Sequence, residues 1–230
     1  MTDWAALAAL TEEIVACRRC PRLVEWRERV AREKVARFRG ETYWGRPVPG
    51  FGDPDARLLV VGLAPAAHGG NRTGRVFTGD SSGDWLYAAL HRTGFANQPT
   101  STSRDDGLRL EDCYVTASVR CAPPDNRPTP AEFDRCRPYL AEELRLLRRV
   151  RVVIALGRIA CDAWMKAAGW RDQISPRLRP RFGHGRATRM PDGTWFVTSF
   201  HPSRRNTSTG LLTRPMWHAI FRRARRLIDS

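Results

Sequence analysis

Six cysteines punctuate the chain, and two of them, Cys17 and Cys20, form a Cys-x-x-Cys turn. A second pair, Cys121 and Cys136, is separated by 14 residues and opens the stretch Cys121-Ala-Pro-Pro-Asp-Asn-Arg-Pro. Thiolates are soft ligands, and four of them complete either a tetrahedral zinc ion or a cubane cluster. Spacing does not choose the metal, although a zinc ribbon would bring a second Cys-x-x-Cys and the long second interval favours a cluster. Cys113 and Cys161 fall within a strand and a helix pattern, where a lone cysteine serves as a small apolar core residue. Buried free thiols are the plain alternative for all six. A site joining residue 17 to residue 136 would clamp the amino-terminal helix onto the rest of the chain, so metal binding would count toward folding.

The second concentration of chemistry follows an apolar run, in Gly62-Leu-Ala-Pro-Ala66 and then Gly-Arg-Val-Phe77-Thr-Gly-Asp80-Ser-Ser-Gly83. Glycines and small residues after a strand let backbone amides approach a ligand closely, at the end where open α/β sheets bind. Gly62, Leu63, Ala64 and Ala66 are therefore candidates for a ligand cradle. The segment matches neither the phosphate loop nor the dinucleotide fingerprint, which disfavours nucleoside triphosphates and dinucleotides. Phe77 is either core or a stacking plate for a flat ring. Near the other end, Phe200-His201-Pro-Ser203-Arg204-Arg205-Asn206 follows a second apolar run, which brings His201 to a strand end in the same crevice.

The elements that must position these groups follow from periodicity. Four β-rich runs, Leu58 to Gly62, Cys113 to Val119, Val150 to Gly157 and Trp195 to Phe200, alternate with helical patterns at 84–92, 130–149 and 158–168. Parallel strands need long crossovers, so this order predicts an α/β fold with a parallel sheet covered on both faces. Helical periods at 4–17, 24–39 and 213–228 add to it. Thr129-Pro-Ala-Glu132 reads as a capping box with proline at the first helical position. Pro138 is expected to break that helix and free Cys136 to turn. The last helix should dock an apolar face and keep its arginines wet.

With 230 residues, 42% apolar and 27% charged, the chain is expected to fold as a single domain spanning 1–230. No apolar run approaches the roughly 20 residues of a membrane span, and no secretory signal opens the chain, which suggests the cytoplasm. Of 39 basic residues all but two are arginine, and the net charge of +15 points to a polyanionic partner. Thirteen of those arginines lie in the last 60 residues against three acids, which suggests that the polyanion lies against that end.

Taken together, the Gly-Leu-Ala-Pro-Ala segment with Phe77 and Asp80 after it, the Cys121-Ala-Pro-Pro-Asp-Asn126 segment, the His201-Pro-Ser motif and four cysteines in this order resemble the iron–sulfur uracil-DNA glycosylases, in particular the family 5 (type B) branch. The likeness runs from about Ala16 to the last helix. It implies a three-layer αβα sandwich around a four-stranded parallel sheet, with a [4Fe-4S] cluster on Cys17, Cys20, Cys121 and Cys136. It also implies removal of uracil, and of other deaminated or adducted bases such as hypoxanthine and ethenocytosine, from double- and single-stranded DNA. A monomer associated with the nucleoid is expected.

Such an enzyme must swing a nucleotide out of the duplex at a cost of a few kcal/mol. Phe77 would stack on the extruded base, and His201 would donate to the departing uracil oxygen, as its equivalent does in related enzymes. Asp80 is the nearest acid in the matching block for orienting water, and Asn126 aligns with the family asparagine after the Pro-Pro pair. Relatives often carry a polar residue where this chain has Leu63 or Ala66, and another branch reads the base with an asparagine where this chain has Ala117, departures that should broaden specificity. Arg204, Arg205 and Asn206 are candidates to fill the gap in the duplex or touch its backbone. The only lysines, Lys34 and Lys166, lie on helical patterns, which disfavours Schiff-base strand cleavage. A non-catalytic DNA-binding protein on the same fold is the competing expectation.

Overall fold

The computed structural model describes residues 4–230. Its sheet is built on four buried runs, β2 (Leu58–Gly62), β3 (Cys113–Ala117), β4 (Val152–Leu156) and β6 (Trp195–Ser199), paired in parallel in the order β3-β2-β4-β6. Within each, successive side chains serve opposite faces: Leu58 and Val60 pack on one side of the sheet, Leu59 and Val61 on the other. Such two-sided burial explains why these strands read as continuous apolar runs.

The four-stranded parallel sheet is thus present, and two antiparallel edge strands, β1 (Phe51–Gly52) beside β3 and β5 (Arg186–Arg189) beside β6, extend it to six strands. Neither carried an apolar run, since β1 has two residues and β5 presents Arg186 and Arg189 to solvent. Nine helices complete the described residues: α1 (Trp4–Ala16), α2 (Pro21–Glu33), α3 (Gly70–Thr73), α4 (Ser81–Arg92), α5 (Pro130–Leu146), α6 (Arg158–Ala167), α7 (Trp170–Gln173), α8 (Arg204–Ser208) and α9 (Arg214–Asp229). One face of the sheet is covered by α4 and α9, whose Leu86, Leu90, Trp217 and Phe221 join its apolar layer. The opposite face is covered by α1, α5 and α6 through Ile14, Leu140 and Trp164. The three-layer αβα sandwich is therefore observed. Among the described residues no helix is long and apolar enough to cross a membrane.

The capping box forms as its sequence specifies: Thr129 Oγ1 accepts from the Glu132 amide at 3.4 Å, and Glu132 accepts from the Thr129 amide at 2.7 Å. The break expected at Pro138 does not occur, and α5 runs unbroken to Leu146. A proline deletes one backbone donor, whereas Tyr139, Leu140, Glu143 and Leu146 keep the second half of the helix buried. Nor does every arginine of α9 stay wet. Arg223 donates to the Gly185 carbonyl at 2.6 Å, and Arg225 bonds the Thr93 and Gly94 carbonyls at 3.0 Å while stacking on Phe95. Part of the carboxy-terminal charge thus fastens the fold.

Candidate active site

Strand order reverses at β2, the position where an open α/β sheet leaves a crevice beyond its carboxyl ends. A cavity of about 400 Å³ lies there, lined by Leu63, Ala64 and Ala66 after β2, Ala117 at the end of β3, and His201 after β6. Phe77, Asp80, Asn126 and Arg204 complete its wall. That volume lies within the range of pockets that take small molecules.

The aromatic plate is positioned by a strained backbone and by glycines. Phe77 has φ of 51°, a left-handed conformation uncommon for a bulky side chain and characteristic of functional sites. Its ring lies so close over Gly62 that a Cβ there would stand 2.6 Å from Cζ, and a Cβ at Gly83 would overlap the Phe77 carbonyl. Tyr87, on the buried face of α4, donates to the Val76 carbonyl at 2.8 Å and fixes the residue preceding Phe77. The Phe77 and His201 rings then face each other at 5.9 Å between centroids and 30° between planes.

Burial lowers the His201 pKa from 6.5 to about 4, so the imidazole is neutral at pH 7. Neutral imidazole keeps one N–H to donate. Its backbone is held by Asn206, whose side-chain amide donates to the His201 carbonyl at 2.8 Å. Ser82 Oγ donates to the neighbouring Pro202 carbonyl at 3.2 Å, which ties the His201 segment to the start of α4. Asp80 caps that helix, accepting from the Gly83 amide at 2.9 Å. Burial nevertheless raises its pKa above the ordinary carboxylate value, against the backbone hydrogen bonds that lower it. A Cβ at Gly69 would collide with the second Asp80 oxygen, so glycine lets that loop close over the carboxylate.

The candidate residues are thus brought together with different engagements. Gly62 donates no side chain but makes room for Phe77, and its carbonyl accepts from the Ser118 amide and hydroxyl, both at 2.9 Å. Asn126 is exposed, in a turn with φ of 55°, and reaches both the cavity and the groove beside it. The three residues expected at the DNA, Arg204, Arg205 and Asn206, open the short helix α8, capped by Ser203. Arg204 and Arg205 are exposed on it, whereas Asn206 points inward. Neither lysine lines the cavity.

A family model of the Uracil DNA glycosylase superfamily matches residues 49–225. The chain belongs to that superfamily. It is 52% identical over 219 residues to the type-5 uracil-DNA glycosylase of Thermus thermophilus, covering 95% of this chain and 97% of that one. The type-5 uracil-DNA glycosylase of Mycobacterium tuberculosis is 51% identical over 223 residues, 96% of this chain and 82% of the relative. A type-4 uracil-DNA glycosylase of Pyrobaculum aerophilum is 33% identical over 145 residues, 63% of this chain and 66% of the relative.

Away from the cavity, this superfamily member brings Cys17, Cys20, Cys121 and Cys136 to the wall of one small void between α2, α5 and the segment after β3. Among the described residues no three His, Cys, Asp or Glu side chains converge on a point that could hold a single metal ion. Arg27, 2% exposed, donates from Nη1 to Cys121 Sγ at 2.9 Å and from Nη2 to the Cys17 carbonyl at 3.2 Å, while its Nε has no partner. Its closest described carboxylate contact is Glu28, at 4.0 Å. Arg27 carried no sequence signal, because it sits among many arginines on a helix whose other face is charged. Burial pushes the Cys121 and Cys136 thiols up to about 11 and about 12, so each stays protonated unless a cation offsets its charge. Cys113 and Cys161 are core residues on opposite faces of the sheet.

Proposed function

We infer that this chain is a uracil-DNA glycosylase of the type-5 kind, hydrolysing the N-glycosyl bond of uracil in DNA as a step of base excision repair. One observation carries the reading: an aromatic ring and a neutral histidine face each other across a cavity of base size at the carboxyl edge of the sheet. The base, swung from the duplex, stacks on Phe77. As the bond to the sugar lengthens, negative charge moves onto the base, and neutral His201, on the cavity wall, donates its N–H to the oxygen that receives it. A donor fixed before the reaction begins stabilises the transition state more than the ground state. Asp80 orients the attacking water. Burial raises its pKa above the ordinary carboxylate value, which favours uptake of a proton from that water. Asn126 closes the cavity rim over the base or the water.

The same reading includes hypoxanthine and ethenocytosine among the substrates, supported by the alanines at 64, 66 and 117, which offer no side-chain amide or carboxylate to read a base edge. The position of both lysines outside the cavity supports monofunctional action. Arg204 and Arg205 contact the DNA, the protein acts as a monomer, and both single- and double-stranded DNA are accepted.

A [4Fe-4S] cluster on Cys17, Cys20, Cys121 and Cys136 belongs to this reading. The residues fit it: four thiols share one void, and the buried Arg27 guanidinium meets a thiol instead of a carboxylate, so an anionic thiolate centre supplies its counter-charge. A cluster carries its ligands on separate irons and does not ask them to converge on one point. When bound it supplies cross-linking of α2 to α5 and no electron to hydrolysis. The test is excision of uracil, hypoxanthine and ethenocytosine from duplex oligonucleotides by the purified protein. Absence of any excision by well-folded protein overturns the enzymatic reading, and activity on uracil alone removes the breadth.

A further inference from the structure

Beside the base cavity, and sharing Ala66, Asp80, Ser81, Asn126 and Arg204 with it, runs a groove of about 1290 Å³. Its far wall is made by residues that no motif singled out. Trp44 is held by its ring N–H, which donates to the Pro47 carbonyl at 2.9 Å. Two guanidiniums lie over that indole, Arg104 at 4.4 Å and Arg46 at 5.7 Å from the ring centre. Both arginines are exposed, and neither has a carboxylate partner among the described residues. Cations stacked on an indole keep their charge and lose rotational freedom, which reduces the cost of ordering them on a ligand.

This wall is anchored to the base-binding loop. The Trp44 and Gly45 amides donate to the Arg72 and Asn71 carbonyls at 2.8 and 3.0 Å. Gly74, at φ of 76°, has no Cβ, and one there would stand 2.9 Å from both Trp44 and the Arg104 stem. The loop that carries Arg104 is fixed in turn by buried Arg75, which reaches Ser101 Oγ at 2.6 Å and Asp106 at 2.7 Å. Burial opposes ionisation of Asp106, but the Arg75 bond and the amides of Thr102, Leu108 and Ser103 hold its carboxyl down to about 2. Four acids, Glu41, Asp80, Asp84 and Asp105, also border the groove; Glu41 is paired with Arg72, and none of the four forms an ion pair with Arg46 or Arg104 among the described residues.

We propose that Arg46 and Arg104, pre-set on Trp44, form a phosphate clamp that grips the backbone of the damaged strand beside the extruded nucleotide. The proposal rests on the glycosylase reading, since it uses the base cavity as its origin. It moves the strand's path from the carboxy-terminal arginines, several of which fasten the fold, to a groove built from the segments 44–46 and 101–106. The ligand is a phosphodiester, recognised without regard to base sequence.

The experiment measures binding of a uracil-containing duplex against salt for wild type and for the Arg46→Ala, Arg104→Ala double variant. It then repeats the measurement with neutral methylphosphonates placed singly at the phosphates flanking the uracil. Each phosphate contact contributes roughly 0.9 to the logarithmic salt slope, so the double variant should lose about 1 to 2 from the slope. One methylphosphonate position should weaken wild type several-fold and leave the double variant unchanged. A circular dichroism melt checks that the variant folds, as two exposed side chains should permit. Unchanged slope, or equal sensitivity of both proteins at every methylphosphonate position, overturns the clamp. If wild type itself excises no uracil from this duplex, the glycosylase reading fails instead, which separates the two.

Discussion

Adding one methyl group at Gly62 should disable the site without touching a polar atom. In Gly62→Ala the new Cβ would stand 2.6 Å from Phe77 Cζ and 2.7 Å from Cε2, against about 3.5 to 4.0 Å for unstrained carbon contacts. The strand cannot retreat, because β2 pairs on both sides with β3 and β4, so the ring must move by about 1 Å. Overpacking of this kind costs roughly 1 to 3 kcal/mol of stability. The displaced ring no longer lies against the base, and base–aromatic stacking is worth about 1 to 3 kcal/mol, or roughly 5- to 150-fold in kcat/KM. Single-turnover excision from a uracil duplex, with melting followed in parallel, measures both. The decisive comparison is with Phe77→Ala, which suffers a similar loss but makes room for the methyl. In that background Gly62→Ala should cost little further. Strictly additive losses, or full kcat/KM in Gly62→Ala alone, would refute the steric account.

Asp80→Asn keeps an acceptor at the helix cap and removes the base, so excision should fall about 10²- to 10⁴-fold while stability changes by less than about 1 kcal/mol; an unimpaired rate moves water activation elsewhere. His201 is neutral in the fold down to about 4 and titrates at 6.5 when unfolded, so its burial stabilises the protein fully above pH 6.5 and progressively less as pH falls toward 4. Its ring resonances should therefore stay constant in NMR from pH 8 to 5.5, and a midpoint near 6.5 would contradict the buried placement. Cys17→Ala or treatment with a chelator should lower the melting temperature and abolish visible absorbance. Colourless and equally stable protein, purified without oxygen, defeats the cluster assignment.

The parallel core was legible because each of its strands is buried on both faces, which forces an uninterrupted apolar run between helical periods. The edge strands and α3, α7 and α8 were not, since β1 has two residues, β5 is largely exposed, and helices of four or five residues barely complete one turn and show no period. Phe77 and His201 could be named from the motifs that carried the family resemblance, and their stacking across a shared cavity adds the geometry that spacing alone does not give. Arg27 and the Trp44 stack left no trace in the sequence: a buried cation and a cation over an indole are tertiary facts, invisible among 37 arginines. Asn206 shows the converse case, a polar residue in an arginine-rich stretch whose amide turns inward to hold the His201 backbone.

The most direct measurement is a crystal structure with duplex DNA carrying 2′-fluoro-deoxyuridine, whose glycosidic bond resists cleavage. The pyrimidine should lie flat on Phe77 in the 400 Å³ cavity, with a carbonyl oxygen about 2.7 to 3.2 Å from a His201 ring nitrogen. A base left stacked in the duplex, or extruded into the neighbouring groove away from both rings, would contradict the account.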